Sequence, residues 1–326
     1  MTLAALRITN VHRIRLHARG QTDSHVLVPL KDQSTAGFAV GDWVLTDLIT
    51  GNILKSLNRK SVLQRQSPRT GNQPQLIAAN IDTLFIVSSC NADFKVGWID
   101  QFLAMACESG ITPVVILTKA DKVESPSSWV KQVKELSPDL IVEAVDAHDL
   151  IQIKRLERWC QPGQSVAMVG SSGVGKSTLL NTLCELDTAT GGIRESDAQG
   201  RHTTTARSLH QTNAGGWLVD TPGIRVLHLY NAAEGINRLF PEITELTEKC
   251  HFQDCTHKSE PGCALKAALS DQSLDQSRYQ RWEKLYQDSN KLSETPDALP
   301  PTWQKKKRIS KAIKQDIKRL KGKPKA

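Results

Sequence analysis

Gly170-Ser171-Ser172-Gly173-Val174-Gly175-Lys176-Ser177 fits GxxxxGK[ST], and no other stretch restricts the fold of this chain so tightly. The pattern belongs to a loop that leaves a strand and enters a helix, so that backbone N–H groups and the helix N-terminus face a phosphate. Both neighbours fit. Ser165-Val166-Ala167-Met168-Val169 is a short apolar run suited to a buried parallel strand, and Thr178-Leu179-Leu180-Asn181-Thr182-Leu183 reads as helix. Gly170 to Thr178 are therefore expected to hold nucleotide phosphates, with Lys176 reaching the β/γ oxygens and the Ser177 hydroxyl ligating Mg²⁺.

The chain upstream alternates strand and helix. Residues 81–87, 113–117 and 140–145 read as buried strands, and 97–110, 131–136 and 149–159 as helices, which argues for a mostly parallel α/β sheet with ligands at the carboxyl ends of its strands. Thr118-Lys119-Ala120-Asp121 sits at one such end and fits [NT]KxD. A carboxylate there accepts from guanine N1–H and the N2 amino group together, whereas adenine offers no such pair of donors and leaves the carboxylate unpaired. A second base-side loop is expected after the strand at 140–145, where only Asp146-Ala147 stands as a weak match.

Downstream, Gly200-Arg201-His202-Thr203-Thr204-Thr205 has the polar, glycine-led character of a switch, with Thr204 and Thr205 as hydroxyl donors to Mg²⁺. Trp217-Leu218-Val219 then runs into Asp220-Thr221-Pro222-Gly223, a DxxG pattern in which Asp220 would hold Mg²⁺ through water and the Gly223 N–H would sense the γ-phosphate. Together the four pieces describe a GTPase taking GTP to GDP. Their order is permuted, because the base-reading loop precedes the phosphate loop. The site needs only that the loops meet on one sheet edge, so the expected domain is a circularly permuted one. A Ras-like enzyme carries a glutamine after DxxG to orient the attacking water; here the residue is Ile224, so intrinsic hydrolysis is expected to be slow.

Residues 1–68 carry short period-two stretches split by Gly20, Pro29, Gly37 and Gly51, the pattern of a small β-barrel, with an oligonucleotide-binding (OB) fold and a purely structural barrel both open. Arg59, Lys60, Arg65 and Arg69, followed by Pro74, read as a linker. After the GTPase motifs a helix near 232–240 leads to Cys250-x4-Cys255-x-His257-x5-Cys263. Three thiolates and an imidazole make the closed tetrahedral shell of a structural Zn²⁺ site. Helices follow at 264–269 and 274–286, the second placing Tyr279, Trp282, Leu285 and Tyr286 on one face as core.

The net charge of +8 is unevenly spread. From Trp303 onward eleven Lys or Arg stand against one Asp, so the tail alone carries +10 and residues 1–302 carry −2. Ile309, Ile313, Ile317 and Leu320 recur there at helical spacing. Such a segment can meet RNA, a membrane surface or an acidic partner, or serve as a disordered solubilising tail, and the rest of the chain favours RNA. No run of about eighteen apolar residues occurs, and the N-terminus lacks the apolar length of a signal peptide, so the expectation is a cytoplasmic monomer that does not contact membrane. Cys90, Cys107, Cys160 and Cys184 lie singly in apolar segments, as reduced buried cysteines do.

Permuted TKAD, GSSGVGKST, GRHTTT and DTPGI, with a barrel before and the cysteine cluster after, resemble the RsgA (YjeQ) family of small ribosomal subunit biogenesis GTPases. Val40-Gly41-Asp42-Trp43-Val44 and Ala78-Ala79-Asn80-Ile81-Asp82 are similar to that family too. The resemblance implies an OB barrel (1–70), a permuted P-loop GTPase domain (75–230), a helical zinc domain (231–302) and a basic tail (303–326). It also implies binding to the 30S subunit and its rRNA late in assembly, with hydrolysis stimulated by the subunit. On that expectation His202 or a ribosomal group positions the water, although His202 can equally just pack the switch. The competing reading is a nucleotide-switched RNA-binding assembly factor in which turnover is incidental. A metabolic phosphotransferase would need an acceptor pocket and base, for which there is no motif.

Overall fold

The computed structural model describes residues 2–29, 34–67, 74–91, 94–186, 207–221 and 232–293, with side chains to residue 289. Its centre is the strand pair β8 (Thr83–Ser89) and β11 (Ser165–Val169), parallel and hydrogen-bonded over Val166↔Thr83 to Val169↔Ile86. Both are buried along nearly their whole length, which is why they read as continuous apolar runs. Alternate residues of β8 feed opposite layers. Leu84 and Ile86 join the core beneath α1 (Val96–Ser109) and α2 (Pro126–Lys134), while Phe85 and Val87 join that beneath α3 (Leu150–Lys154) and α4 (Lys176–Cys184). With β9 (Thr112–Thr118), β10 (Ile141–Ala144), β12 (Ser208–Gln211) and β13 (Trp217–Asp220) the order is β10-β9-β8-β11-β13-β12, parallel except for β12. This is a circularly permuted P-loop sheet.

The sheet does not stop at β12. Asn10 of β1 (Leu3–Val11) pairs antiparallel with Ser208, and the Asn10 amide donates to the Arg207 carbonyl (3.4 Å). From β1 the chain builds an N-terminal barrel: β2 (Leu16–Arg19), β3 (Ser24–Leu27), β4 (Trp43–Asp47) and β5 (Asn52–Ser56), with a Val28↔Asn52 bridge closing the ring β1-β2-β3-β5-β4. Leu6, Ile8, Leu16, Leu27, Val44 and Ile53 fill it. Five short strands closing in this order give a barrel of OB type. Arg7 ties it to the nucleotide sheet. Its guanidinium lies between the rings of Trp43 (5.7 Å) and Trp217 (5.6 Å) and donates to Ser165 Oγ (2.7 Å) at the start of β11.

The stretch that reads as a linker is instead a hairpin. β6 (Val62–Gln66) pairs with β7 (Pro74–Ala79), and Leu63, Ile77 and Ala78 enter the main core beside Val40. Its glutamines and arginines hide the alternation, and Pro74 is tolerated because it opens a strand.

C-terminal to the sheet, α5 (Ala233–Leu239) and α8 (Gln276–Ser293) pack against α1 and each other, while α6 (Pro241–Glu248) packs against α5 and α7 (Ala264–Ser270). Gly235 lies so close to α1 that a Cβ there would come 2.2 Å from the Ala104 carbonyl oxygen. On α8, Arg281 pairs with the buried Asp100 (2.5 Å), and Arg278 donates to the Leu136 and Leu239 carbonyls (2.7 Å each) and to Glu242. Trp282 and Leu285 are buried as expected. Tyr286 is not core: it is 38% exposed and stacks on Trp282 at 5.1 Å. Among the described residues no helix is long and apolar enough to cross a membrane.

Candidate functional site

Where β11 ends, Gly170 approaches β8 so closely that a Cβ would stand 2.2 Å from the Val87 carbonyl oxygen; its φ is +151°. Gly173 (φ +79°) and Gly175 (φ +92°) complete the turn, and Val174, 1% exposed, pins it into the core below α4. Backbone N–H groups at the start of α4 thereby follow directly on the turn, the arrangement that attracts phosphate. Ser177 is exposed in the first helical turn, Ser171 and Ser172 form the rim, and the Thr178 carbonyl accepts from Thr182 Oγ1 (3.0 Å). The Lys176 ammonium arches back over the loop to the carbonyls of Gly170 (2.9 Å) and Ser171 (2.6 Å). It is thus folded over the loop's own backbone.

β9 delivers the TKAD loop to the same edge. Thr118 is fully buried, and its hydroxyl lies 2.6 Å from the Val174 carbonyl and 3.1 Å from that of Ser88, within donating reach of both. Two motifs 56 residues apart are joined by this one side chain. Lys119 takes a left-handed backbone (φ +57°) and the Ala120 N–H donates to the Val145 carbonyl (3.3 Å). The Asp121 carboxylate, one third exposed, pairs with Lys122 at 2.8 Å; chiefly that hydrogen bond holds it below the ordinary carboxylate range, so it is ionised at neutral pH. The weak Asp146-Ala147 match lies next to it. Ala147 is buried, and its carbonyl accepts from Thr182 Oγ1 (3.2 Å) on α4. Thr118→Val should cost about 1–2 kcal/mol in denaturant unfolding and weaken nucleotide binding together, because it strands the Val174 carbonyl and frees the phosphate loop from its neighbour.

Asp220 closes β13 opposite Met168, and Thr221 Oγ1 donates to the Met168 carbonyl. Burial pushes the Asp220 carboxyl up, opposed first by the Lys176 ammonium and then by His210. Ser208 stands across the ladder from Asp220, with its Oγ 2.7 Å from His210 Nε2. Neither Ser208 nor His210 was expected near the site. Their only local signal is the two-residue spacing on β12, a four-residue strand with one buried position. His202, Thr204, Thr205, Gly223 and Ile224 lie outside the described residues.

The other predicted cluster is formed. One ligand atom from each of Cys250, Cys255, His257 and Cys263 lies within 4.8 Å of the others. Cys250 Sγ and Cys263 Sγ both stand 3.6 Å from His257 Nδ1. Tetrahedral zinc, with bonds of about 2.3 Å to sulfur and about 2.0–2.1 Å to nitrogen, separates sulfur from nitrogen by about 3.6 Å, so the donor set and its spacing fit that ion.

A sequence-family model described as RsgA GTPase matches residues 56–230. A model for ABC transporters matches residues 153–315, a stretch that takes in the phosphate loop common to both kinds of protein. The chain is 49% identical over 287 residues to a small ribosomal subunit biogenesis GTPase RsgA of Mesorhizobium japonicum, covering 87% of this chain and 83% of that relative. A protein of the same description from Methanosarcina acetivorans is 37% identical over 286 residues, covering 83% and 78%. The crystal structure of YjeQ from Thermotoga maritima superposes with a TM-score of 0.61 at 24% identity, covering 88% of this chain and 99% of that one. That of YloQ, a circularly permuted GTPase, gives 0.60 at 22%, covering 92% and 97%, and these two likenesses speak for the fold.

Proposed function

The chain belongs to the RsgA family of GTPases, and from that premise we propose that it is a GTP phosphohydrolase acting in maturation of the 30S ribosomal subunit, binding the particle through its rRNA and stimulated by it. The observation that carries the reading is the Thr118–Val174 hydrogen bond. It fastens the loop bearing Asp121 to the phosphate loop, so one ligand long enough to span base and phosphates is addressed by both despite their inverted order in the chain.

In this reading Asp121 accepts from the guanine edge, and Thr118, Lys119 and Ala120 set its loop. Backbone N–H groups of 170–178 bind the phosphates, and Lys176 exchanges its carbonyl partners for phosphate oxygens. Ser177 and Asp220 would hold Mg²⁺, which when bound neutralises charge on the phosphates. Ile224 has no group with which to orient water. That role falls to His202 or to a group of the subunit, which gives stimulation a physical cause. Cys250, Cys255, His257 and Cys263 hold one structural Zn²⁺. The division into barrel (1–70), GTPase domain (75–230), zinc domain (231–302) and basic tail (303–326) is part of the same reading, with the tail meeting rRNA phosphates and the protein acting in the cytoplasm as a monomer.

Single-turnover hydrolysis with no addition, with 30S particles, with 50S particles and with free RNA tests it. A slow basal rate raised selectively by 30S is expected. Equal rates in all four would remove the subunit from the mechanism.

A further inference from the structure

The loop that carries His257 is organised by a carboxylate outside the Cys250–Cys255–His257–Cys263 cluster. Glu260 Oε1 accepts from the Thr256 N–H (2.9 Å) and the Thr256 hydroxyl (2.5 Å), and Oε2 accepts from the N–H groups of Lys258 and Ser259 (3.0 Å each). Four donors fill both oxygens, so the group is occupied as an acceptor and is not a fifth ligand. The donors come from the residues on either side of His257. Between them His257 takes φ +61°, a left-handed backbone that costs a non-glycine residue about 1–2 kcal/mol. In that conformation Nδ1 lies 3.6 Å from two sulfurs at once. Charge-assisted bonds are about twice as strong as neutral ones, so this acceptor is able to hold a strained backbone that the imidazole itself does not stabilise.

We propose that Glu260 positions His257 Nδ1 for the metal, so that zinc affinity depends on a carboxylate that never touches the ion. The proposal rests on the zinc reading above. Glu260→Gln keeps the size but turns one acceptor into a donor facing N–H groups; partners that orient a metal ligand through its side chain change metal affinity by about ten- to a hundredfold, and orientation through the ligand's backbone is expected to act on the same scale.

The experiment measures zinc affinity of the full chain by competition with a chromophoric chelator for wild type, Glu260→Gln, His257→Ala and the double variant. Electronic absorption of the cobalt(II)-substituted proteins is recorded alongside. Glu260→Gln is expected to weaken zinc by ten- to a hundredfold and to shift the cobalt spectrum toward that of His257→Ala. It should add nothing once His257 is gone. Independent, additive losses, or a Glu260→Gln spectrum identical to wild type, would overturn the positioning role. A wild-type chain that fails to bind one zinc would instead overturn the zinc reading itself.

Discussion

Asp121→Asn is expected to lower GTP affinity by about a hundred- to a thousandfold and to admit xanthosine triphosphate in its place. Guanine presents two donors at N1 and N2, and an ionised carboxylate accepts both, each charge-assisted bond contributing about 1.5–3 kcal/mol. Asparagine keeps one acceptor and turns a donor against the guanine amino group. Xanthine carries an oxygen where guanine carries that amino group, and so matches the amide. Because the Asp121 carboxylate lies at the surface and its ion pair is with the exposed Lys122, the exchange should leave the fold intact and separate recognition from stability. Titration of both nucleotides by fluorescence decides it; unchanged GTP affinity with xanthosine triphosphate still excluded would take Asp121 out of base recognition.

Gly170→Ala is the change expected to do most damage. Its new Cβ would meet not a movable side chain but the backbone oxygen of Val87 at 2.2 Å, on the central strand that also carries Leu84 and Ile86 into the core. Relief requires β8 and β11 to part at the point where the phosphate loop begins, at a cost of about 3–5 kcal/mol. Nucleotide binding and hydrolysis should fall below detection, with a lowered unfolding midpoint in denaturant. By contrast Gly173→Ala meets no heavy atom within 4 Å and has only its φ of +79° to accommodate, so it serves as the milder control. Equal behaviour of the two variants would show that loop flexibility, not the approach to β8, is what Gly170 supplies.

How far the sequence reveals such features follows from their range. The phosphate loop, TKAD, the Asp220 motif and the cysteine–histidine spacing are each written within a few consecutive residues, because the ligand they suit fixes their local geometry. The buried strands were legible for a related reason, since β8, β9 and β11 are covered on both faces and show it as uninterrupted apolar runs. The hairpin β6–β7 and the strand β12 are not, because each is short and only partly buried, and Arg65, Gln66, His210 and Gln211 leave no apolar alternation to read. The helix α6 was missed for want of apolar positions: only Ile243 is fully buried, although Pro241 at its first turn is a valid start signal. Contacts over long separations, Thr118 to Val174 and Arg281 to Asp100, carry no local trace. Glu260 lay in plain view between two ligands, but its work is done on backbone N–H groups, which every sequence possesses.

The antiparallel pairing of β1 with β12 also sets a timetable. Strand β1 leaves the ribosome about 200 residues before its partner at Ser208, an interval of roughly 10–40 s at ordinary elongation rates. The barrel can close its own ring long before that, since β1 to β5 lie within the first 56 residues. The nascent chain therefore carries a finished barrel with an unpaired stretch of edge at Asn10, waiting for β12. An unpaired edge is a template for any passing strand. The final sheet thus records an order of synthesis as well as a shape: the barrel is made first, β8 to β10 next, then β11 with the phosphate loop beside β8, and β12 and β13 last join β11 to the waiting edge of β1.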